Sequence, residues 1–452
     1  MPDYPAAEVH WRVPVGCGYS GFWVEVVLGF IPALHRRAGL NVKLLSGKCD
    51  EDFLQGHMEP SDAEVYRAAW IEESSLTTAQ VKNSVAIEHG DPCGMRRFTA
   101  RNRPKVVISR SMSEASLTPS QASCMSSAGA VDEVWVPTAW HVTRYIEAGV
   151  APSLLRIIPE AVDTDFFAPR RSPAPHASAP FTFISVFKWE RRKGWDLLLD
   201  AFWREFDGES GVQLVLKTYL PSWEPPPPLE VQLKQFAKRR IGKPRSELPP
   251  VKLIEADVTR RGLRELYGAA DCFVLPTRGE GWGLPIAEAM SMGLPAIATN
   301  FSGPTAFMTD ANSHLLPVSR HLPDGSAEPS VEALRRAMRL AFNERGDAAR
   351  RRGEQARFDM RAKFSREAVG DMIAERLRAL TGADSFHVDG PDAAKSAAAS
   401  MDSRDELRQR RRRKRFLKED RAPGTLHRGW PYMGIGGLGV PSWLCYFNRI
   451  CR

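Results

Sequence analysis

Short apolar or β-branched runs alternate along most of the chain with segments whose apolar residues recur every three to four positions. The runs EVHWRVPV (8–15), NVKLLS (41–46), KVVIS (105–109), DEVWVPT (132–138) and LRIIPEAVD (155–163) read as strands. Between the first two, FWVEVVLGFIPALHRRAG reads as a helix. APRRSPAPHASAP (168–180) has the composition of a linker. A second series follows: strands FTFISVF, GVQLVLKTYL, PVKLIEADV, CFVLPT, PAIATN and SHLLPV, with GWDLLLDAFWREF as an amphipathic helix. The WEPPPP segment is an irregular loop, and residues 330–380 read as two or three charged helices. This alternation predicts an α/β protein with parallel sheets in two halves, at 1–170 and 180–380. After Thr381 the core signals stop. Residues 381–452 are small, polar and basic, and the expectation there is disorder.

Composition refines this picture in three places. The chain has 452 residues, 43% of them hydrophobic and 26% charged, ordinary for a soluble globular protein. No apolar run reaches the 18 or so residues of a membrane helix, and the start, MPDYPAAEVHW, has no signal-peptide pattern. The net charge of +8 resides in residues 401–452, which hold 13 Lys/Arg against 5 Asp/Glu. The body is therefore neutral, and nucleic acid is not an expected partner. RQRRRRKR (408–415) admits three readings: a solvated charge run, a nuclear-import-like signal, or electrostatic attachment to anionic membrane. The seven cysteines are scattered without a C-x-x-C pair. That argues against zinc and for a reducing compartment, hence a cytoplasmic protein, membrane-peripheral if the tail docks.

The chemistry concentrates in TRGEGWGLPIAEAMSMGLPAIATN (277–300). A strand delivers the chain into a glycine-rich loop, and a helix starts near Leu284–Pro285, where proline's missing N–H costs nothing. The amides of Gly283, Leu284 and Ile286 would form an anion site suited to a diphosphate. Glu280 and Glu288 bracket it. Glu288 can accept hydrogen bonds from a pair of ribose hydroxyls. Glu280 could touch a second sugar or steady a developing positive charge. Trp282, inside the loop, is a candidate for ligand contact. Trp135 and Trp195 read as core.

With seven residues between its glutamates, EGWGLPIAEAMSMGLPAIAT resembles the E-x7-E signature of retaining glycosyltransferases of the GT-B fold, the "group 1" family (family four). SVFKWERRKGWDLLLDAF (185–202) resembles the family's diphosphate-binding segment. Lys193 matches its motif lysine. Lys188 matches its upstream basic position, with Arg191 or Arg192 as substitutes. DEVWVPTAWHVTRYIEAGVAPSLLRIIPEAVDTDFFAP (132–169) resembles the segment that closes the family's N-terminal domain. RSMSEASLTP (110–119) resembles a stretch found in a subset of members.

The resemblance implies two Rossmann-like domains facing a central cleft. The first would bind the acceptor and the second a nucleotide-diphosphate sugar, with the last helix, 366–380, crossing back. It implies transfer of a hexose, with retention, to a hydroxyl acceptor, without metal or other cofactor. Asp163 and Asp165 in VDTDFF have D-x-D spacing but fall at a domain junction and read as structural. The donor diphosphate would meet Lys188, Lys193, Arg192 and the helix start. On the acceptor side, Gly16 and Gly18 of GCGYSG would line the cleft, His89 would approach the donor sugar, and Arg110 with Glu114 could form an ion pair lining the cleft. Two rivals share the fold: a nucleotide-sugar epimerase, and a catalytically silent binding or scaffold protein.

Overall fold

The structure is a computed structural model that describes residues 7–18, 21–35, 37, 39–127, 129–169, 179–222, 227–344 and 346–381. The linker expected at 168–180 lies mostly outside these residues. So do the prolines at 225–226 and all of the tail beyond Thr381.

Twelve strands build two parallel sheets of six. The first contains β1 (Ala7–Arg12), β2 (Leu40–Leu45), β3 (Val85–His89), β4 (Val106–Arg110), β5 (Glu133–Val136) and β6 (Leu155–Ile157), ordered β2-β1-β3-β4-β5-β6. The second contains β7 (Phe181–Lys188), β8 (Val212–Tyr219), β9 (Val251–Ile254), β10 (Cys272–Leu275), β11 (Ala296–Thr299) and β12 (His314–Leu316), ordered β12-β11-β10-β7-β8-β9. Each sheet thus reverses direction around its first strand. In an open parallel sheet, ligands bind at such a reversal, beyond the carboxyl ends of the strands. Central strands such as β3, β4, β5, β10 and β11 are buried along their whole length, as expected of a sheet covered on both faces.

The expected strands all form; most are trimmed at their ends, whereas β4 and β7 run one residue further, to Arg110 and Lys188, and β1 and β2 begin one residue earlier. An antiparallel hairpin, β13 (Val318–His321) with β14 (Ala327–Pro329), was not anticipated. Its strands are only four and three residues long, too short for a two-residue period to emerge.

Two stretches of chain join the halves, and they bond to each other. The Val162 amide donates to the Phe364 carbonyl (2.8 Å), and the Arg366 amide donates to the Val162 carbonyl (3.1 Å). The helix Arg366–Thr381 then returns to the first sheet, where Val369, Ile373 and Leu377 enter its core. Beside this crossing, Asp62 and Asp163 are buried between arginines. Arg260 reaches both (3.0 and 2.7 Å), as does Arg366 (3.0 and 3.1 Å). The aspartate of the D-x-D spacing is therefore held in a structural ion-pair network, as its position suggested.

The cysteine expectation is overturned. Cys17 is bonded to Cys49 and Cys93 to Cys124, and among the described residues only Cys272 is free. The partners lie 32 and 31 residues apart, so no local spacing motif announces them. Topology brings them together. Cys17 and Cys49 follow β1 and β2; Cys93 follows β3, and Cys124 lies in the helix after β4. The first bridge staples the loops after β1 and β2, and the second ties the turn after β3 to the helix after β4. Disulfides persist in oxidising surroundings, so the ground for reading a reducing compartment is gone. Among the described residues no helix is long and apolar enough to cross a membrane.

Candidate active site

The second sheet supplies a compact charged cluster from two loops. After β7 the chain makes a short turn, Arg191–Lys193, and enters the helix Trp195–Glu205 through Gly194. Gly194 sits at φ +73°, and a Cβ there would lie 2.0 Å from the Pro276 carbonyl oxygen. No side chain fits, so the glycine is what lets this turn press against the end of β10. Arg278 locks the two together. Its guanidinium donates to both Asp196 oxygens (2.8 Å each), to the Arg191 carbonyl and to Glu328 of the hairpin (3.0 Å).

This clamp brings Lys193 to Glu280. The Lys193 ammonium donates to both carboxylate oxygens, at 2.8 and 2.7 Å. Arg192 donates to the Gly279 carbonyl (2.7 Å) and lies 3.7 Å from Glu280. The Glu280 amide donates to the Ser302 hydroxyl (2.9 Å). Ser302 is the one described non-glycine residue at positive φ, +55°, a strained geometry of the kind found at functional sites. Glu280 is only 5% exposed. Burial alone would push its carboxyl up, but the Lys193 and Arg192 charges and hydrogen bonds hold it below the usual range. It is an ionised, desolvated carboxylate between two cations.

Glu288 sits in a different environment. It lies in the helix Leu284–Ser291, and the Tyr267 hydroxyl donates to it at 2.9 Å. Burial raises its pKa to about 7, against the pull of that hydrogen bond. It opens on a cavity of about 20 Å³, lined also by Leu284, Arg260 and, from the first half, Leu28, Gly29 and Asp163. Ligand pockets run to roughly 300 Å³ or more, so the two halves stand closed on each other here. Of the three amides expected at the helix start, that of Ile286 bonds instead to the Gly283 carbonyl (3.0 Å), because the first turn tightens around Gly283 at φ +102°. Gly283 and Leu284 remain the candidate anion ligands.

Other expected residues fall elsewhere. Lys188 ends β7, partly exposed, in register with Tyr219. Trp282 is not a cleft residue: it is 2% exposed and packs against Phe307 and Phe364. Trp135 is core as expected, whereas Trp195 stacks on Trp189 at 4.5 Å and is partly buried. Gly16 and Gly18 flank the bonded Cys17, and a Cβ on Gly47 would lie 2.9 Å from the Gly16 Cα.

Arg110 and Glu114 do not pair with each other. Arg110, fully buried at the end of β4, pairs with Glu160. Glu114 lies four residues on in a loop that leaves the first sheet, and it pairs with Arg192 at 2.8 Å. His89 is buried beside Glu25 (3.2 Å), ringed by Trp11, Phe22 and Phe30. Burial and the Arg110 charge lower its pKa to about 3, so it is neutral. Burial pushes Glu25 and Glu160 up to about 7. The four form a desolvated cluster where the carboxyl ends of β3 and β4 meet the chain after β6. Glu25 and Glu160 escaped sequence reading because each sits in an apolar segment (WVEVV, IIPEAV) that looks purely structural.

Comparison with known proteins agrees with this architecture. Residues 180–338 match the profile of the family described as "Glycosyl transferases group 1". That match spans the second sheet and runs into the helical segment that follows it. A D-inositol 3-phosphate glycosyltransferase of Geodermatophilus obscurus is 27% identical over 242 residues, 52% of this chain and 52% of that protein. The chain thus matches about half the length of this relative. Among solved structures, a glycosyltransferase from Rickettsia africae has a TM-score of 0.60 at 14% identity, covering 83% of this chain and 99% of that one. Sucrose-phosphate synthase from Thermosynechococcus elongatus gives 0.59 at 16%, covering 84% and 100%. HepE of Anabaena, solved with UDP-glucose, gives 0.58 at 15%, covering 82% and 100%. At such identities the likeness shows the fold, which is GT-B.

Proposed function

We propose that the protein is a retaining glycosyltransferase that moves a hexose from a nucleotide-diphosphate sugar to a hydroxyl acceptor. The observation that carries this reading is the Lys193–Glu280 pair, with Arg192, at the mouth of the helix that bears Glu288. A departing nucleoside diphosphate gathers negative charge, and preorganised cations and amides stabilise it most where water is excluded. Lys193, Arg192 and Lys188, with the amides of Gly283 and Leu284, supply that charge without a metal. Glu280, ionised among cations, is suited to hold the donor sugar and to steady positive charge as the glycosidic bond breaks. Glu288 accepts the ribose hydroxyls. HepE was solved with UDP-glucose, which supports a nucleotide sugar as the donor class here.

The first sheet would present the acceptor. Its stapled loops, with Gly16 and Gly18, and the cluster of His89, Arg110, Glu25 and Glu160 lie at the carboxyl edge that ligands favour. The closed cleft implies that the halves part to admit both substrates.

The test is sugar release from UDP-, GDP- and ADP-hexoses by the purified protein, with and without EDTA, before and after adding hydroxyl acceptors. Acceptor-stimulated release that survives EDTA and is lost in Lys193→Ala supports the reading. An epimerised donor without any acceptor requirement overturns it.

A further inference from the structure

The loop that follows β4 closes over the cationic side of the donor site. Gly279, Gly281 and Gly325 belong to the second half, and each has its open side filled by this loop. A Cβ on Gly279 would lie 2.1 Å from the Glu114 carbonyl oxygen, one on Gly281 2.4 Å from Met112 Sδ, and one on Gly325 1.8 Å from Ser116 Oγ. The seal ends in an ion pair, Glu114 to Arg192 at 2.8 Å. Arg192 already serves Glu190 (3.2 Å), the Gly279 carbonyl (2.7 Å) and Glu280 (3.7 Å). Both terminal nitrogens of the Arg192 guanidinium are thus engaged within the protein. Of these acceptors, Glu114 alone comes from the first half. Its side chain is 46% exposed, whereas that of Glu280 is 6% exposed, so Glu114 is the acceptor most easily displaced.

We propose that Glu114 is a gate carboxylate that competes with the donor's diphosphate for Arg192 and is exchanged for it as the donor enters. Resting on the glycosyltransfer reading, this assigns Glu114 a role the E-x7-E chemistry does not use. The carboxylate and the diphosphate compete for one guanidinium. Release of the pair frees the loop at 111–117 from the three glycines, and the freed Arg192 turns to the ligand. Donor entry and release of the loop are then coupled, because the diphosphate and Glu114 cannot both hold Arg192.

The test compares Glu114→Gln with Glu190→Gln. Both remove one negative charge from Arg192, but only Glu114 bridges the halves. Two quantities are measured: UDP affinity by calorimetry, and amide hydrogen exchange across 111–117 and 279–283 in the empty protein. A partly exposed ion pair contributes about 0.4–1 kcal/mol. Its loss should therefore tighten UDP about two- to fivefold in Glu114→Gln and speed exchange in both segments several-fold. Glu190→Gln should leave exchange at 111–117 unchanged. Unchanged exchange in Glu114→Gln, or UDP bound no more tightly than by the parent, overturns the gate. If the parent binds no nucleoside diphosphate while exchange responds as stated, the glycosyltransfer reading fails and the interdomain latch stands.

Discussion

Lys193 and Glu280 lie 87 positions apart and meet with the ammonium on both carboxylate oxygens, at 2.8 and 2.7 Å. The pair is almost dry, with 12% and 6% of the side chains exposed. Removing either member leaves a buried charge with a weaker partner, so the effect on stability and the effect on turnover must be separated. Lys193→Met should lower acceptor-dependent turnover by about 100-fold or more, as expected when one preorganised donor to developing negative charge is lost. It should also lower stability, by about 1–3 kcal/mol, without abolishing folding. Turnover and urea midpoints measured side by side check this. Unaltered turnover in a folded Lys193→Met protein would remove the pair from the chemistry.

Glu288 carries a pH dependence of definite sign. Its pKa in the folded protein is raised to about 7, from an ordinary value of 4.5. The folded state therefore holds a proton that the unfolded state has released between these values. The penalty from Glu288 is absent below about pH 4.5, grows up to about pH 7 and is constant above it. Glu288→Gln should be relatively more stable than the parent at pH 8 than at pH 4.5, by on the order of 1–3 kcal/mol. Ribose hydroxyls favour the ionised form, so UDP binding below pH 7 should release a proton, visible as a buffer-dependent enthalpy. Binding enthalpies at pH 6 that are the same in phosphate and Tris would contradict the assigned role.

The two disulfides close loops of 32 and 31 residues. By chain entropy each should stabilise the folded state by about 2–4 kcal/mol. Cys17→Ser/Cys49→Ser and Cys93→Ser/Cys124→Ser should each shift the urea midpoint accordingly, and dithiothreitol should reproduce both shifts in the parent. Identical midpoints with and without reductant would show that the bridges do not form in solution.

Asp62 neutralises two arginines, Arg260 and Arg366, from the other half and from the crossing helix. Asp62→Ala leaves both with one carboxylate, Asp163, between them. Loss of one partner of a buried pair costs about 3–5 kcal/mol, so this variant should unfold at markedly lower denaturant. An exposed ion pair such as Arg350–Glu354 provides the contrast: Glu354→Ala should leave the urea midpoint essentially unchanged.

Much of this architecture was legible in the sequence because parallel strands buried on both faces are written as continuous apolar runs. The glycine loop with Glu280 and Glu288 was legible for a local reason, since strand, turn, proline and helix follow one another without interruption. What escaped was long-range. Glu114 pairs with Arg192 rather than Arg110, because the loop after β4 turns toward the second half while Arg110 points back to Glu160. Cys17 and Cys49 meet only because β1 and β2 are neighbours in the sheet. Trp282 looked like a ligand platform from its glycine neighbours, yet its ring turns into the core against Phe307 and Phe364.

The central claim is that Glu288 and the Lys193–Glu280 cluster form a nucleotide-sugar donor site. Its most direct test is a thermal-shift and calorimetric titration of the purified protein with UDP, GDP and ADP, repeated with Glu288→Ala and with EDTA. A ligand bound only by the folded state raises the melting temperature by mass action. The account predicts stabilisation by one of these diphosphates, insensitive to EDTA and lost in Glu288→Ala. Binding that persists undiminished in a folded Glu288→Ala protein, or no binding of any of the three, would contradict it.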